Sequence, residues 1–551
     1  AIALSPEIRA RLGLAAAVLP PAELIRAILK APVDLMFFGG IGTYVKSVHE
    51  NNAAVGDRTN DAVRVDARDL RARVIAEGAN LAMTQLGRID YALAGGRLNT
   101  DAIDNSAGVD TSDHEVNIKI LLDAIVDAGD LTAKQRNELL AAMTDEVAGL
   151  VLRDNYLQSQ AISLAEQVAP QQLGQYDRLM RLLEKTGRLN RAVEYLPDDE
   201  ALAVRLAAKQ GLTRPEIAVL MAYAKIWLYD HVLGCDLPDD PHLVDSLHRY
   251  FPSLLRQRFP QAIDGHRLRR EIVAAQLTNS MINRVGGSFV SDIMERTGMP
   301  PQEIARAFVV VRDAFGLRDL WGEIEGLDNS VPAPVQYALL AELNRLVERS
   351  VIWLLRHCPH PIDLAERLHD LAAPIAILQE SVFQWMPADA ADTVAARAAD
   401  FTAHGVPEPL ARRVAVAVVL ASAHDLGRIA ERTGMDLGLA SRLYFAVGGR
   451  FGLGWLRASA ETLAAGAGSN HWLMLAVAAV IEELYGVQRE LTLRVATCGT
   501  DPAAALDNWI AAHRPAVERA EQLLTELRAS GRPDLAILTV ANRQIRSLTE
   551  G

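Results

Sequence analysis

The chain has 551 residues, half of them apolar, which is enough to bury a large core and, at this length, to divide into several domains. A formal net charge of -13 argues against a general nucleic-acid binder, which needs a basic face for phosphates, and no apolar run approaches the roughly 18 to 20 residues of a membrane helix. Three scattered cysteines, Cys235, Cys358 and Cys498, do not make a disulfide framework and suit a reducing, cytoplasmic setting.

The fold class read from the pattern is mostly α, with a partial α/β, Rossmann-like N-terminal segment built on a parallel sheet. Residues 1–130 carry that segment. Pro20-Pro21 precedes a helical stretch, Ala22 to Lys30, and the apolar run Val33 to Phe38 then stops at Gly39-Gly40-Ile41-Gly42, as a buried strand does on meeting a glycine turn. Ala72 to Ala76 running into Glu77-Gly78-Ala79-Asn80 repeats the arrangement, with room between the two for a crossover. A third transition leads from Tyr91 through Gly95-Gly96 to Asn105-Ser106-Ala107-Gly108. A helix is expected to start at Ser112, because Ser112-Asp113-His114-Glu115 fits a capping box, with Glu115 and Lys119 paired and Val116, Ile120 and Ile125 buried.

From Leu131 onward amphipathic helical segments punctuated by Gly or Pro replace the strands. A helical region over 131–265 and a helical C-terminal region over 266–551 are expected. Within the latter, Glu295-Arg296-Thr297-Gly298-Met299 recurs at an offset of 136 as Glu431 to Met435, and Phe315-Gly316-Leu317 as Phe451-Gly452-Leu453. This predicts tandem similar units near 290–325 and 426–461, a duplication if it is not a coincidence of short helix-and-turn patterns. Gln276, Asn279 and Asn283 share a helix face and read first as an inter-helix hydrogen-bond ladder, second as a ligand site.

Parallel strands bind ligands beyond their carboxyl ends, so the turns at Gly39–Gly42, Gly78–Asn80 and Asn105–Gly108 are expected to converge on one rim. Glycines there admit close approach of a nucleotide, and asparagines offer amide hydrogen bonds, although plain turn-making accounts for the glycines equally well. None of the three turns is a Gly-x-Gly-x-x-Gly fingerprint. Ser112 reads either as a helix N-cap or as an anion contact at a helix terminus. His357-Cys358-Pro359-His360 lacks a second ligand pair at zinc-site spacing, and no metal centre or nucleophilic triad is expected.

These segments together resemble one family. Asp34-Leu35 with Gly39-Gly40-Ile41-Gly42-Thr43-Tyr44-Val45-Lys46, Val55-Gly56-Asp57-Arg58, Glu77-Gly78-Ala79-Asn80-Leu81 with Thr84-Gln85-Leu86-Gly87-Arg88, and Asp104-Asn105-Ser106-Ala107-Gly108-Val109-Asp110 with Ser112 to Asn117 are similar to signatures of the large NAD-specific glutamate dehydrogenases of bacteria. The likeness continues at Leu237 to Pro241, His266 to Ile272 and Trp321 to Asn329. It implies oxidative deamination of L-glutamate to 2-oxoglutarate with NAD as cofactor, in a homo-oligomer. By the same resemblance, Gly78, Asn80 and Asn105 line the cofactor and Ser112 meets the substrate side-chain carboxylate; Gly39, Gly40 and Gly42 are expected at the cofactor from their place on the strand-end rim. The family's catalytic lysine, catalytic aspartate and phosphate-binding loop find no match here; they are expected upstream, which makes this chain the C-terminal part of such an enzyme and inactive alone. The alternative is a non-catalytic helical module for assembly or regulation.

Overall fold

The computed structural model describes residues 1–466, 470–529, 531 and 533–550. The chain is mostly helical and divides into two compact units, Ala1–Ser291 and Asp292–Gly551.

The first unit begins with the antiparallel pair β1 (Ile2–Ala3) and β2 (Val18–Leu19). The two apolar runs that stop at glycine are β3 (Leu35–Phe38) and β6 (Val74–Glu77), parallel neighbours in register from Leu35 opposite Val74 to Phe38 opposite Glu77. Between them lie β4 (Val45–Lys46) and β5 (Val65–Asp66), a second short parallel pair. Phe38, Val45, Val65, Ile75, Met83 and Tyr91 pack into one buried cluster, and the Tyr91 hydroxyl donates to the Ala72 carbonyl at 2.6 Å. Tyr91 belongs to helix α1 (Gln85–Leu93), and Arg97 makes only an isolated parallel bridge to Val74, so the third expected transition follows a helix rather than a strand.

The next helix, α2, spans Ser106–Asp127 and so begins six residues before the expected start at Ser112. Asn155 fixes the true start by donating to the Ile103 carbonyl at 2.7 Å and to the Ser106 hydroxyl at 3.0 Å. Ser112 lies in the second turn, exposed, its Oγ donating to the Gly108 carbonyl at 3.2 Å, the ordinary bond of a serine inside a helix. The Ser-x-x-Glu pattern is therefore an exposed helix surface, not a capping box. Glu115 does pair with Lys119, but Val116 is exposed and the buried stripe is His114, Asn117, Ile118, Leu121, Leu122 and Ile125. Three further helices complete the wall around α2: α3 (Thr144–Lys185), α4 (Arg214–Leu233) and α5 (Arg269–Val285), with α4 packed on both α3 and α5.

Farther along, α6 (Phe289–Thr297), α7 (Pro301–Ala314), α8 (Leu317–Glu325) and α9 (Ala333–His357) are followed, after three intervening helices between 364 and 420, by α10 (Ala423–Thr433), α11 (Leu437–Arg450), α12 (Leu453–Gly466) and α13 (His471–Ala496). The two sets share their local build at the offset of 136. Thr297 donates to the Ile293 carbonyl and accepts from the Met299 amide, at 2.6 and 3.3 Å; Thr433 does the same with Ile429 and Met435, at 2.7 and 3.3 Å. Gly298 and Gly434 follow with φ of 72° and 68°, the left-handed conformation that ends a helix without steric cost only at glycine. His357 and His360 are engaged separately, with Trp353 and with Glu303 and Leu355, rather than with one another.

Candidate functional site

The first unit contains a cleft of about 760 Å³ beyond the carboxyl end of β6, lined from five directions. Asn80 comes from the turn after β6, Asn105 and Asp110 from the start of α2, Asp154 and Gln158 from α3, Lys225 from α4, and Asn279 and Asn283 from α5. A polar network fixes the turn. Glu77 and Arg88, both buried, form a two-pronged ion pair at 2.6 and 2.8 Å. The Glu77 amide donates to Asp104 at 3.0 Å and the Leu81 amide to Asp101 at 2.8 Å, which holds Leu81 at a φ of 60°. Asn99 joins Asp104 to Arg214, and Arg214 reaches Glu166 on α3 at 2.9 Å. The Gly78–Leu81 turn is thereby tied to the Asp101–Asp104 helical turn and through it to α3 and α4 before any ligand arrives.

Asn80 and Asn105 meet: the Asn105 amide donates to the Asn80 side-chain carbonyl at 2.6 Å, which leaves the Asn80 NH2 and the Asn105 carbonyl for other partners. Gly78 stands directly behind them without lining the cleft, and a Cβ there would lie 2.3 Å from the tip of the exposed Phe37 ring, which would have to swing aside. Gly39, Gly40 and Gly42 follow β3 and do not line this cleft. Neither does Ser112, whose backbone amide is bound inside α2 and provides no helix-terminus anion site.

Two of the cleft's charged side chains, Asp154 and Lys225, were not singled out by the sequence pattern. Burial first, and the charges of Asp154 and Asp113 second, push the Asp110 carboxyl up to about 7. Burial pulls the Lys225 ammonium down to about 8, opposed by Asp154 and Asp110. These two groups exchange protons near neutrality, the property required of general acids and bases and of groups that sense a ligand's charge. His114 is 2% exposed, stacks on Tyr250 at 4.4 Å between ring centroids, and is held below the usual histidine range by burial. The Tyr250 hydroxyl donates to Asp113 at 2.9 Å and accepts from Asn117 at 2.8 Å. The buried side-chain carbonyl of Asn283 has no partner, so the stripe on α5 is not a closed ladder: two of its three members, Asn279 and Asn283, face the cleft. A signal for Lys225 was present, since it is the single charged residue between Glu216 and Asp230 in a strongly apolar helix.

No helix among the described residues is long and apolar enough to cross a membrane. Residues 209–547 match the family model described as glutamate dehydrogenase, C-terminal, and residues 1–165 match that described as bacterial NAD-glutamate dehydrogenase, catalytic domain. Among curated relatives, the chain is similar over its whole length to proteins named NAD-specific glutamate dehydrogenase from Pseudomonas aeruginosa, at 44% identity, Halomonas elongata, at 41%, and Mycobacterium tuberculosis, at 40%. It spans 34% of the length of each of these relatives.

Proposed function

The chain belongs to the bacterial NAD-specific glutamate dehydrogenase family, and from that premise we propose that it provides the rear of a Rossmann-like nucleotide site in the oxidative deamination of L-glutamate to 2-oxoglutarate and ammonia. The observation that carries this reading is the Asn80–Asn105 amide pair at 2.6 Å, set at the carboxyl end of a parallel strand at the mouth of the cleft. NAD supplies the hydride acceptor when bound.

The residues present fit one end of that cofactor. Two side-chain amides with a donor and an acceptor to spare suit a carboxamide and ribose hydroxyls. The pyrophosphate is another matter: Asp101, Asp110, Asp113 and Asp154 line the cleft against one lysine, and none of the three turns is a phosphate-binding glycine loop. Asn80 and Asn105 therefore orient the nicotinamide-ribose end, with Gly78 allowing the strand end to stay close behind them. Ser112 is assigned to the substrate side-chain carboxylate by the family pattern alone, and Gly39, Gly40 and Gly42 to the cofactor only by their place in the turn after a parallel strand.

By this reading the 551-residue chain does not turn over glutamate by itself, because its cleft lacks a pyrophosphate cradle. Steady-state NAD reduction with L-glutamate, run on this chain and on a protein of the relatives' full length, tests it: activity is expected only in the longer protein, and turnover by the chain alone overturns the reading. In the longer protein Asn105→Ala is expected to raise the KM for NAD roughly tenfold, the loss of about one hydrogen bond of 1 to 1.5 kcal/mol. An unchanged KM removes Asn105 from the cofactor site.

A further inference from the structure

Asp110 and His114 lie four residues apart on α2, one turn above the other, and Asp154 faces them from α3. One potential ligand atom from each lies within 4.8 Å of the others. We propose that these three side chains form a binding site for a divalent transition-metal cation of the manganese or zinc class, open on one side to the cleft. The proposal is independent of the dehydrogenase reading.

Acidic neighbours alone would say little; the decisive feature is what they leave without a partner. The Oδ2 atom of Asp110 and the Nδ1 atom of His114 are buried and make no hydrogen bond. An unpaired buried polar atom costs about 1 to 3 kcal/mol, a cost that a cation bound between these two atoms would remove. Tyr250 stacks on the imidazole and is itself fixed by Asp113 and Asn117, so the ring plane is set before a cation arrives. A cation about 2.1 Å from each donor would bring the donors to about 3 to 4 Å from one another, so small side-chain rotations close the site. Two carboxylate oxygens and one imidazole nitrogen are a mixed donor set, harder than zinc's thiolate sites and softer than the all-oxygen sites of magnesium and calcium. Three protein ligands leave coordination positions for water or for a ligand entering past Asn105.

Lys225 competes, because its ammonium interacts with both Asp154 and Asp110. That gives the test an internal control. The chelator-stripped chain is titrated with Mn2+, followed by calorimetry and by the electron paramagnetic resonance of the free ion, with circular dichroism confirming the fold of each variant. Saturation at one Mn2+ per chain is expected, with nitrogen coupling in the pulsed spectrum. His114→Gln should abolish that coupling and, like Asp154→Asn, weaken binding at least tenfold, whereas Lys225→Met should strengthen it severalfold. Should His114→Gln not fold, Asp110→Asn replaces it with the same expected loss. The proposal is overturned if no saturable binding occurs, if the ligand variants bind as the wild type does, or if only Lys225→Met binds, because the lysine is then the resident cation.

Discussion

Both units bury charged side chains among apolar helices, and two of these centres, one in each unit, are completed differently. In the second unit Asp425, 1% exposed, receives the Trp353 indole at 2.8 Å and the Arg489 guanidinium at 2.7 Å, and Arg489 continues to His357 at 3.2 Å. That carboxylate is closed off by protein. In the first unit the carboxylates of Asp110 and Asp154 face a cleft with one lysine, and Asp110, His114 and Asn283 each keep a buried atom unpartnered. The fold pairs Asp425 with its own donors, whereas the proposed cation would be what completes Asp110 and His114. The contrast can be broken from either side.

The largest effect is expected where the closed centre is opened. Arg489→Met leaves Asp425 buried with one fewer partner, and the second unit should lose about 3 to 5 kcal/mol in urea unfolding followed by tryptophan fluorescence. A loss below 1 kcal/mol would show that Trp353 alone suffices. Next comes an acid response. His424, buried between the Trp353 and Phe315 rings with both nitrogens unpartnered, is pulled by burial down to about 4. Its folded value lies below its unfolded one, so its contribution is complete above about 6.5 and is lost as pH falls towards 4, by about 2 to 3 kcal/mol. His424→Phe should flatten that dependence, and an unchanged acid slope would place it elsewhere.

The open centre is expected to respond in the opposite sense. Asp110 is pushed up, so the neutral acid is preferred in the folded state, and stability should fall as pH rises from about 4 to about 7. In chelator, Asp110→Asn should recover about 1 to 2 kcal/mol at pH 8 and nothing at pH 4, a figure reduced for its partial exposure. Equal melting curves at pH 8 would refute it. The smallest effect compares the repeated helices: Thr297→Val and Thr433→Val each remove the same two bonds and should cost a similar amount, about 1 kcal/mol. A twofold disparity would show that the two turns carry different loads.

What could be read in the sequence was local. β3 and β6 were legible as parallel strands because a short apolar run ending at glycine has few other interpretations, but β3 is not the buried strand expected, since Leu35 and Phe37 are 59% and 65% exposed; the asparagines after Gly78 and before Ser106 were legible as amides near strand ends. Ser112 was misplaced because a capping box and an exposed helix surface share the pattern Ser-x-x-Glu, and the choice was made by Asn155, some forty residues away. Asp154, Lys225 and Asn283 reach the cleft from three helices spread over more than a hundred positions, and no local pattern carries that distance. Lys225 did announce itself as a charge in an apolar helix, but only packing decides whether such a charge is an escape to solvent or a group aimed inward.

The long helix α3 has a mechanical consequence. Its 42 residues make a rod of about 63 Å, with Asp154 near one end and Arg181 near the other. Pro170 interrupts its hydrogen bonding, and Gly211 lies so close beneath that a Cβ would come within 2.4 Å of the Ala169 carbonyl carbon. The weakest point of the rod is thus splinted from outside by a glycine. Any side chain at position 211 would have to force the two backbones apart at that notch, so Gly211 sets how closely the segment before α4 can lie against the rod.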